Sequence, residues 1–98
     1  MFRLTGVSFC ADAVAALEEG TAVRLTPQPE NEHDPNAIRV STLDGTALGW
    51  VPAPLAARIS SEGDMCPLVG QVIALRSHDG RTVGADIIVT GVVQPAAA

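Results

Sequence analysis

The chain has no lysine and no tyrosine, and its aromatic residues are two phenylalanines and one tryptophan. Only 17% of its residues are charged, against about 25% in an average globular domain, so serine, threonine and backbone must supply much of the surface polarity. Six arginines face eleven acidic residues, giving a formal charge of -5 that repels nucleic acid and anionic membranes at long range. Non-specific phosphate binding is therefore disfavoured, although folding can gather some of Arg3, Arg24, Arg39, Arg58, Arg76 and Arg81 into a local patch.

Cysteine is equally sparse. Cys10 and Cys66 have neither metal-ligand spacing nor a C-x-x-C pattern, and a disulfide needs an oxidising compartment that nothing else implies. Both are read as free thiols. No apolar run approaches the roughly 18 residues of a membrane helix, and Met1 to Phe9 reads as a strand in place of a charged leader with an apolar core. The expectation is a cytoplasmic protein with no membrane partner. Catalytic motifs are missing too: no glycine-rich phosphate loop followed by lysine, no H-E-x-x-H and no cysteine pair. Only His33 and His78 are ordinary general-base candidates, and no nucleophile is fixed beside either. Glu32, His33 and Asp34 lack a recognised metal spacing, and His78 beside Asp79 and Gly80 reads as an inert turn residue. A non-enzyme without cofactor or metal is expected.

What the chain does have is apolar content, 47% of 98 residues, enough for one core and too little for two. One domain over residues 1–98 is expected, with its core at 4–93 and a frayed tail at 94–98. Phe2, Leu4, Val7 and Phe9 alternate imperfectly, predicting a first strand over 2–10 with Gly6 as a bulge or close-approach point. Residues 11–19 change to a helical period, with Asp12 suited to the N-cap and Gly20 to the stop. Val23 and Leu25 alternate with Arg24 in a second strand, ended by Pro27 and Pro29. Ile38 and Val40 alternate with Arg39 and Ser41, and Asp44-Gly45 turns that strand into residues 47–51. Pro52 and Pro54 open a second helix with Leu55, Ala56 and Ile59 inward, and Ser60, Ser61 and Gly63 end it. Residues 69–75 and 83–93 are the last strands, joined at Ser77-His78-Asp79-Gly80.

Six strands with so little helix exclude a parallel sheet, whose crossovers need more. The pattern predicts a mostly β fold: a small antiparallel OB-like or SH3-like barrel of about six strands with two short helices, its edges removed by closure. Leu4, Val7, Val23, Leu25, Ile38, Val40, Leu48, Leu55, Ile59, Val72, Ile87 and Val89 are the candidate core. The densest turn signal runs from Pro29 to Asn36. There Asn31, Asp34 and Asn36 can accept bonds from nearby amides, and Pro35 holds Asp34 extended, so the loop is rigid before anything binds. On their own, these residues either only fold the turn or also present acceptors to a ligand.

Gly6 to Phe9, Val23-x-Leu25, the run from Pro29 through Asp34-Pro35-Asn36-Ala37-Ile38 to Val40, and Gly49-Trp50-Val51-Pro52 together resemble the HIRAN domain family, over roughly residues 4–90. The resemblance implies a modified OB-type barrel with two helices. It also implies the activity of a family member that acts in replication-fork remodelling, a grip on the free 3′ end of single-stranded DNA. In that role Phe9 stacks on the terminal base, Asp34 accepts the 3′ hydroxyl, His33 packs flat against the end, and Trp50 lies beside the DNA. Asn31 and Asn36 support the loop. A ring suits stacking because every base offers a π-face, and a carboxylate accepts from a hydroxyl but repels a phosphate. Two family cations are missing: Ser8 and Ala53 stand where an arginine and a lysine are expected. Arg24, Arg39 and Arg58 are the remaining candidates for phosphate contacts. Read without the resemblance, Phe9 belongs to the core of an alternating strand and Trp50 is a half-buried wall with its indole nitrogen outward.

Two functions follow. The first is a non-catalytic module that recognises single-stranded DNA, at its free 3′ end, in repair or replication-related processing, with a helicase or nuclease as partner protein because one barrel has no motor. The alternative is a protein-interaction or small-ligand module that kept the scaffold and lost DNA binding. A nucleic-acid hydrolase would need a base or metal site that these residues do not assemble. The first reading requires Phe9, His33, Asp34 and Trp50 to converge on one concave patch near an arginine; the second requires an exposed apolar patch.

Overall fold

The alternating Val, Leu and Ile residues and the two turns centred on Asp-Gly build hairpins. The computed structural model describes residues 1–61 and 67–92. Its elements are β1 (Phe2–Arg3), a 3-10 helix (Val7–Cys10), α1 (Ala11–Ala15), β2 (Ala22–Pro27), β3 (Ile38–Thr42), β4 (Ala47–Trp50), α2 (Ala53–Ser61), β5 (Leu68–His78) and β6 (Arg81–Val92). The six strands form one antiparallel sheet in the order β1-β6-β5-β2-β3-β4. Its two outer strands are joined at a single point, where the Thr5 N–H donates to the Trp50 carbonyl at 3.0 Å and the Trp50 N–H to the Thr5 carbonyl at 2.8 Å. The result is the expected mostly β fold, a six-stranded antiparallel half-barrel with two short helices.

Val23 and Leu25 of β2, Ile38 and Val40 of β3, Leu48 of β4, Val72 of β5 and Ile87 of β6 fill the interior. Each such side chain contributes about 1.5–3 kcal/mol by leaving water. Val14 of α1 and Ala56 of α2 are buried against the same core, with Leu55 and Ile59 packed at its margin. On the outer face, Asp86 of β6 is nearly buried, and Arg76 of β5 donates to both its oxygens, Nε at 3.3 Å and Nη2 at 2.8 Å. A buried carboxylate left unpaired would cost several kcal/mol, roughly, so this fork is needed where the strands meet.

Several expectations change. The first strand is Phe2–Arg3, not residues 2–10, because the chain leaves β6 after Leu4, bridges to β4 at Thr5 and coils from Val7 onward. Val7 is accordingly only half buried. α1 stops at Ala15 rather than Glu19. Asp12 is not its N-cap, since the 3-10 helix runs straight into α1 and Cys10 holds that position without a side-chain bond; Asp12 pairs instead with Arg81 at 3.1 Å. Val89 is 38% exposed rather than core, because the β5–β6 hairpin continues past the barrel that covers its middle. Gly63, Cys66 and the tail at 94–98 lie outside the described residues.

The seam depends on one missing side chain. Val40 pairs with Gly49 and Ser41 with Ala47, making Leu48 an extra residue on β4. A Cβ on Gly49 would lie 2.4 Å from the Thr5 carbonyl oxygen and 3.0 Å from Leu4 Cγ. Backbone cannot yield as a flexible side chain would. Gly49→Ala is expected to destabilise the fold by about 1–3 kcal/mol, read as a lower urea midpoint.

Candidate nucleic-acid interface

The seam also sets the position of the aromatics. After Thr5, Gly6 takes a left-handed conformation (φ 67°) and turns the chain into the 3-10 helix, whose Phe9 N–H donates to the Gly6 carbonyl at 3.3 Å. A Cβ on Gly6 would come within 2.8 Å of Trp50 Cδ1, so glycine lets the indole lie against this turn. Phe9 therefore belongs to neither a strand nor the core: the residue is 89% exposed.

Opposite it, strand pairing aligns Thr26 with Arg39 and Arg39 with Trp50. Paired residues project to one face of a sheet, and here that is the outer one, since Val40 and Leu25 between them face the core. Phe9, Cys10, Gln28, Arg39, Ala47, Gly49 and Trp50 line an open cleft of about 450 Å³. Arg39 Nη2 donates to the Gly45 carbonyl at 3.0 Å, tying the guanidinium to the β3–β4 turn. Among the described residues no carboxylate pairs with it. A smaller, almost wholly apolar cleft of about 230 Å³ lies between Val7, Val14 and Val83. It has no aromatic, and its Arg81 is already engaged by Asp12.

The loop after Gln28 is held from within. Asn31 Oδ1 accepts from the amides of His33 (2.9 Å) and Asp34 (3.0 Å), and Asp34 Oδ1 accepts from the Asn36 amide at 2.9 Å. The Gln28 N–H donates to the Ala37 carbonyl at 2.8 Å, closing the loop's base. Asp34 is thus turned into its own loop through one oxygen, and His33 is exposed. Neither lines the cleft; the loop adjoins it through Gln28. Of the four residues expected to converge, Phe9 and Trp50 do so, with Arg39 as the nearby arginine.

Arg24 stands exposed on β2 and Arg58 exposed on α2, both outside the cleft lining. Gln28 was missed as a lining residue. Its signal was the outward alternation Arg24, Thr26, Gln28, which continues through Pro27. No group of three or more potential metal ligands occurs among the described residues, and none of their helices is long and apolar enough to cross a membrane.

The HIRAN domain family model matches residues 1–66, a stretch that contains every residue of the cleft. The chain belongs to the HIRAN domain family. Its members are non-catalytic binding modules. Among solved structures, this HIRAN domain is similar to a Lactobacillus plantarum protein at 24% identity, covering 88% of this chain and 86% of that one with a TM-score of 0.62. It is also similar to the HIRAN domain of human HLTF at 22% identity, covering 92% of this chain and 73% of that one with a TM-score of 0.61. At such identities the likeness is one of fold. Curated proteins yield no significant match.

The β3–β4 turn that anchors Arg39 carries a carboxylate whose neighbours favour its charged form. The Thr42 hydroxyl, then the amide and hydroxyl of Thr46, hold Asp44 below the ordinary value of 3.8. A depressed folded-state value means the turn's stabilisation is complete above the ordinary aspartate range and disappears as pH falls through the lower value. NMR titration should show the Asp44 carboxyl and the Thr46 amide moving together at that lower pH, and Asp44→Asn should abolish the shared transition.

Proposed function

We propose that this HIRAN domain recognises single-stranded DNA, with the free 3′ end seated between Phe9 and Trp50. The observation that carries this reading is the convergence of two of the chain's three aromatics and a guanidinium that meets no carboxylate among the described residues on one open cleft. A phenyl ring held in water on a short helical turn offers a face to a base, and the indole forms the opposing wall. Such stacking contributes about 1–3 kcal/mol per base without sequence preference. Arg39 takes a phosphate, or stacks, as guanidinium does.

Asp34 and His33 then act from the adjoining loop. The Asn36 amide fixes one carboxylate oxygen, and the other is the acceptor for the terminal hydroxyl, which a 3′ phosphate could not approach without charge repulsion. Arg24 and Arg58 are the more distant phosphate candidates. With so few cations on a chain of charge -5, binding rests on stacking more than on counterion release. The module works in the cytoplasm beside a helicase or nuclease engaged in repair or replication-related processing. One observation favours the alternative of a protein-interaction module: Ile73, Ile88, Val89 and Val92 are exposed on the β5–β6 hairpin.

Fluorescence titration of oligodeoxynucleotides ending in a 3′ hydroxyl or a 3′ phosphate, between about 50 and 200 mM salt, separates the two. Saturable binding of the hydroxyl strand is expected, weakened by about 1–3 kcal/mol in Phe9→Ala, with end discrimination lost in Asp34→Asn. No binding of either strand at the lower salt overturns this function and favours a protein partner.

A further inference from the structure

The outer face of the barrel holds a second concentration of positive charge, away from the cleft. Arg3 Nε stands 4.0 Å from the same Asp86 carboxylate that Arg76 forks, and the two arginine side chains remain 64% and 47% exposed. Two guanidiniums against one carboxylate leave one positive charge uncompensated. With Met1 and Phe2 they border an open hollow of about 340 Å³. A chain of net charge -5 has thus brought two of its six arginines to one hollow. Each guanidinium carries five N–H donors, and the fork on Asp86 engages only part of Arg76's set.

The hollow and the cleft are linked by residues that share one face of the half-barrel. Arg3 pairs with Asp86, Thr5 with Trp50, and Trp50 with Arg39. Leu4, between Arg3 and Thr5, is turned into the core, so Asp86, Arg3, Thr5, Trp50 and Arg39 share the outer face. Two residues along an extended strand and one step across a hydrogen-bonded pair put Arg3 roughly 9 Å from Trp50. Thr5 does not obstruct this route: it is small, and its hydroxyl is folded back onto the Trp50 carbonyl at 3.0 Å.

We propose that the Arg3–Arg76 hollow is a second contact for the same DNA strand, taking a backbone phosphate two to three nucleotides from the base held in the cleft, at about 3.4 Å per nucleotide of a stacked strand. It rests on the reading of the cleft as a single-strand site. Asp86 serves the contact by holding both guanidiniums on the surface, and the seam at Thr5 and Trp50 is the track between the two points. The hollow supplies part of the cationic character that Ser8 and Ala53 do not.

The test is a length series of oligodeoxythymidylates with free 3′ hydroxyls against the wild type, Arg3→Ala and Arg3→Glu. Arg76 is left intact because its loss would strand a buried carboxylate, and unchanged thermal midpoints confirm folding of the Arg3 variants. Wild-type affinity should step up once the strand is long enough to reach the hollow. Arg3→Ala should shrink that step and make the slope of log K against log salt shallower by about 0.7, and Arg3→Glu should remove the step. No step, or a step retained in Arg3→Glu, overturns the second contact while the cleft reading stands. If no strand of any length binds the wild type, the cleft reading fails and the second contact with it.

Discussion

Everything distinctive about this domain hangs on two backbone hydrogen bonds between Thr5 and Trp50. They join the segment after the first strand to the far edge of the sheet, so the half-barrel has a seam at that point. They also fix where the 3-10 helix begins and hold the backbone of the residue whose indole walls the cleft. Fold closure and site assembly are one event, and both need glycine at Gly6 and Gly49, where a side chain would collide with the indole or with the Thr5 carbonyl. A helical turn placed by the seam, rather than by a strand, explains how a phenylalanine remains in water in a chain otherwise occupied with filling one core.

Charge is used sparingly. Arg81 is paired with Asp12, and Arg76 and Arg3 surround Asp86, whereas among the described residues Arg39 is held by a carbonyl alone. An arginine bound to a neutral acceptor keeps its net charge for a ligand. An exposed ion pair contributes about 0–1 kcal/mol, so the Arg81–Asp12 pair adds little to stability. The acidic balance of the chain works against loose attraction to polyanions, which leaves geometry and stacking to decide what stays bound.

The strands were legible in the sequence because Val23, Leu25, Ile38 and Val40 alternate with polar residues, and because Asp44-Gly45 and Asp79-Gly80 suit tight turns. The path of residues 5–10 was not. Leu4, Val7 and Phe9 sit at nearly alternating positions, and nothing local marks Thr5 as the residue that crosses to another strand; that is a property of the way the whole sheet curls. Gly6 gave the one hint, as a point of close approach. The site was half legible. The aromatics Phe9 and Trp50 stood out by rarity and by family pattern, and their meeting with Arg39 follows from strand register. Asp34 and His33 were expected in the same patch, yet the Asn31 and Asp34 side chains accept from amides of the loop itself. Val89 was placed inside by period alone, which cannot say where a long hairpin outruns its core.

The loop from Gln28 to Ala37 draws its shape from its own amides, the Asn31 carboxamide and the Asp34 carboxylate, and is closed at its base by the Gln28–Ala37 bond. Pro29, Glu30, Glu32, His33 and Pro35 are its exposed positions, and the bonds that shape it use only backbone at His33 and nothing of the side chains at the others. Mutational drift at Glu30, Glu32 and His33 leaves both loop and barrel unchanged while altering the charge and shape presented beside the cleft. Ligand preference in this scaffold can therefore diversify at the loop's rim without a compensating change in the core.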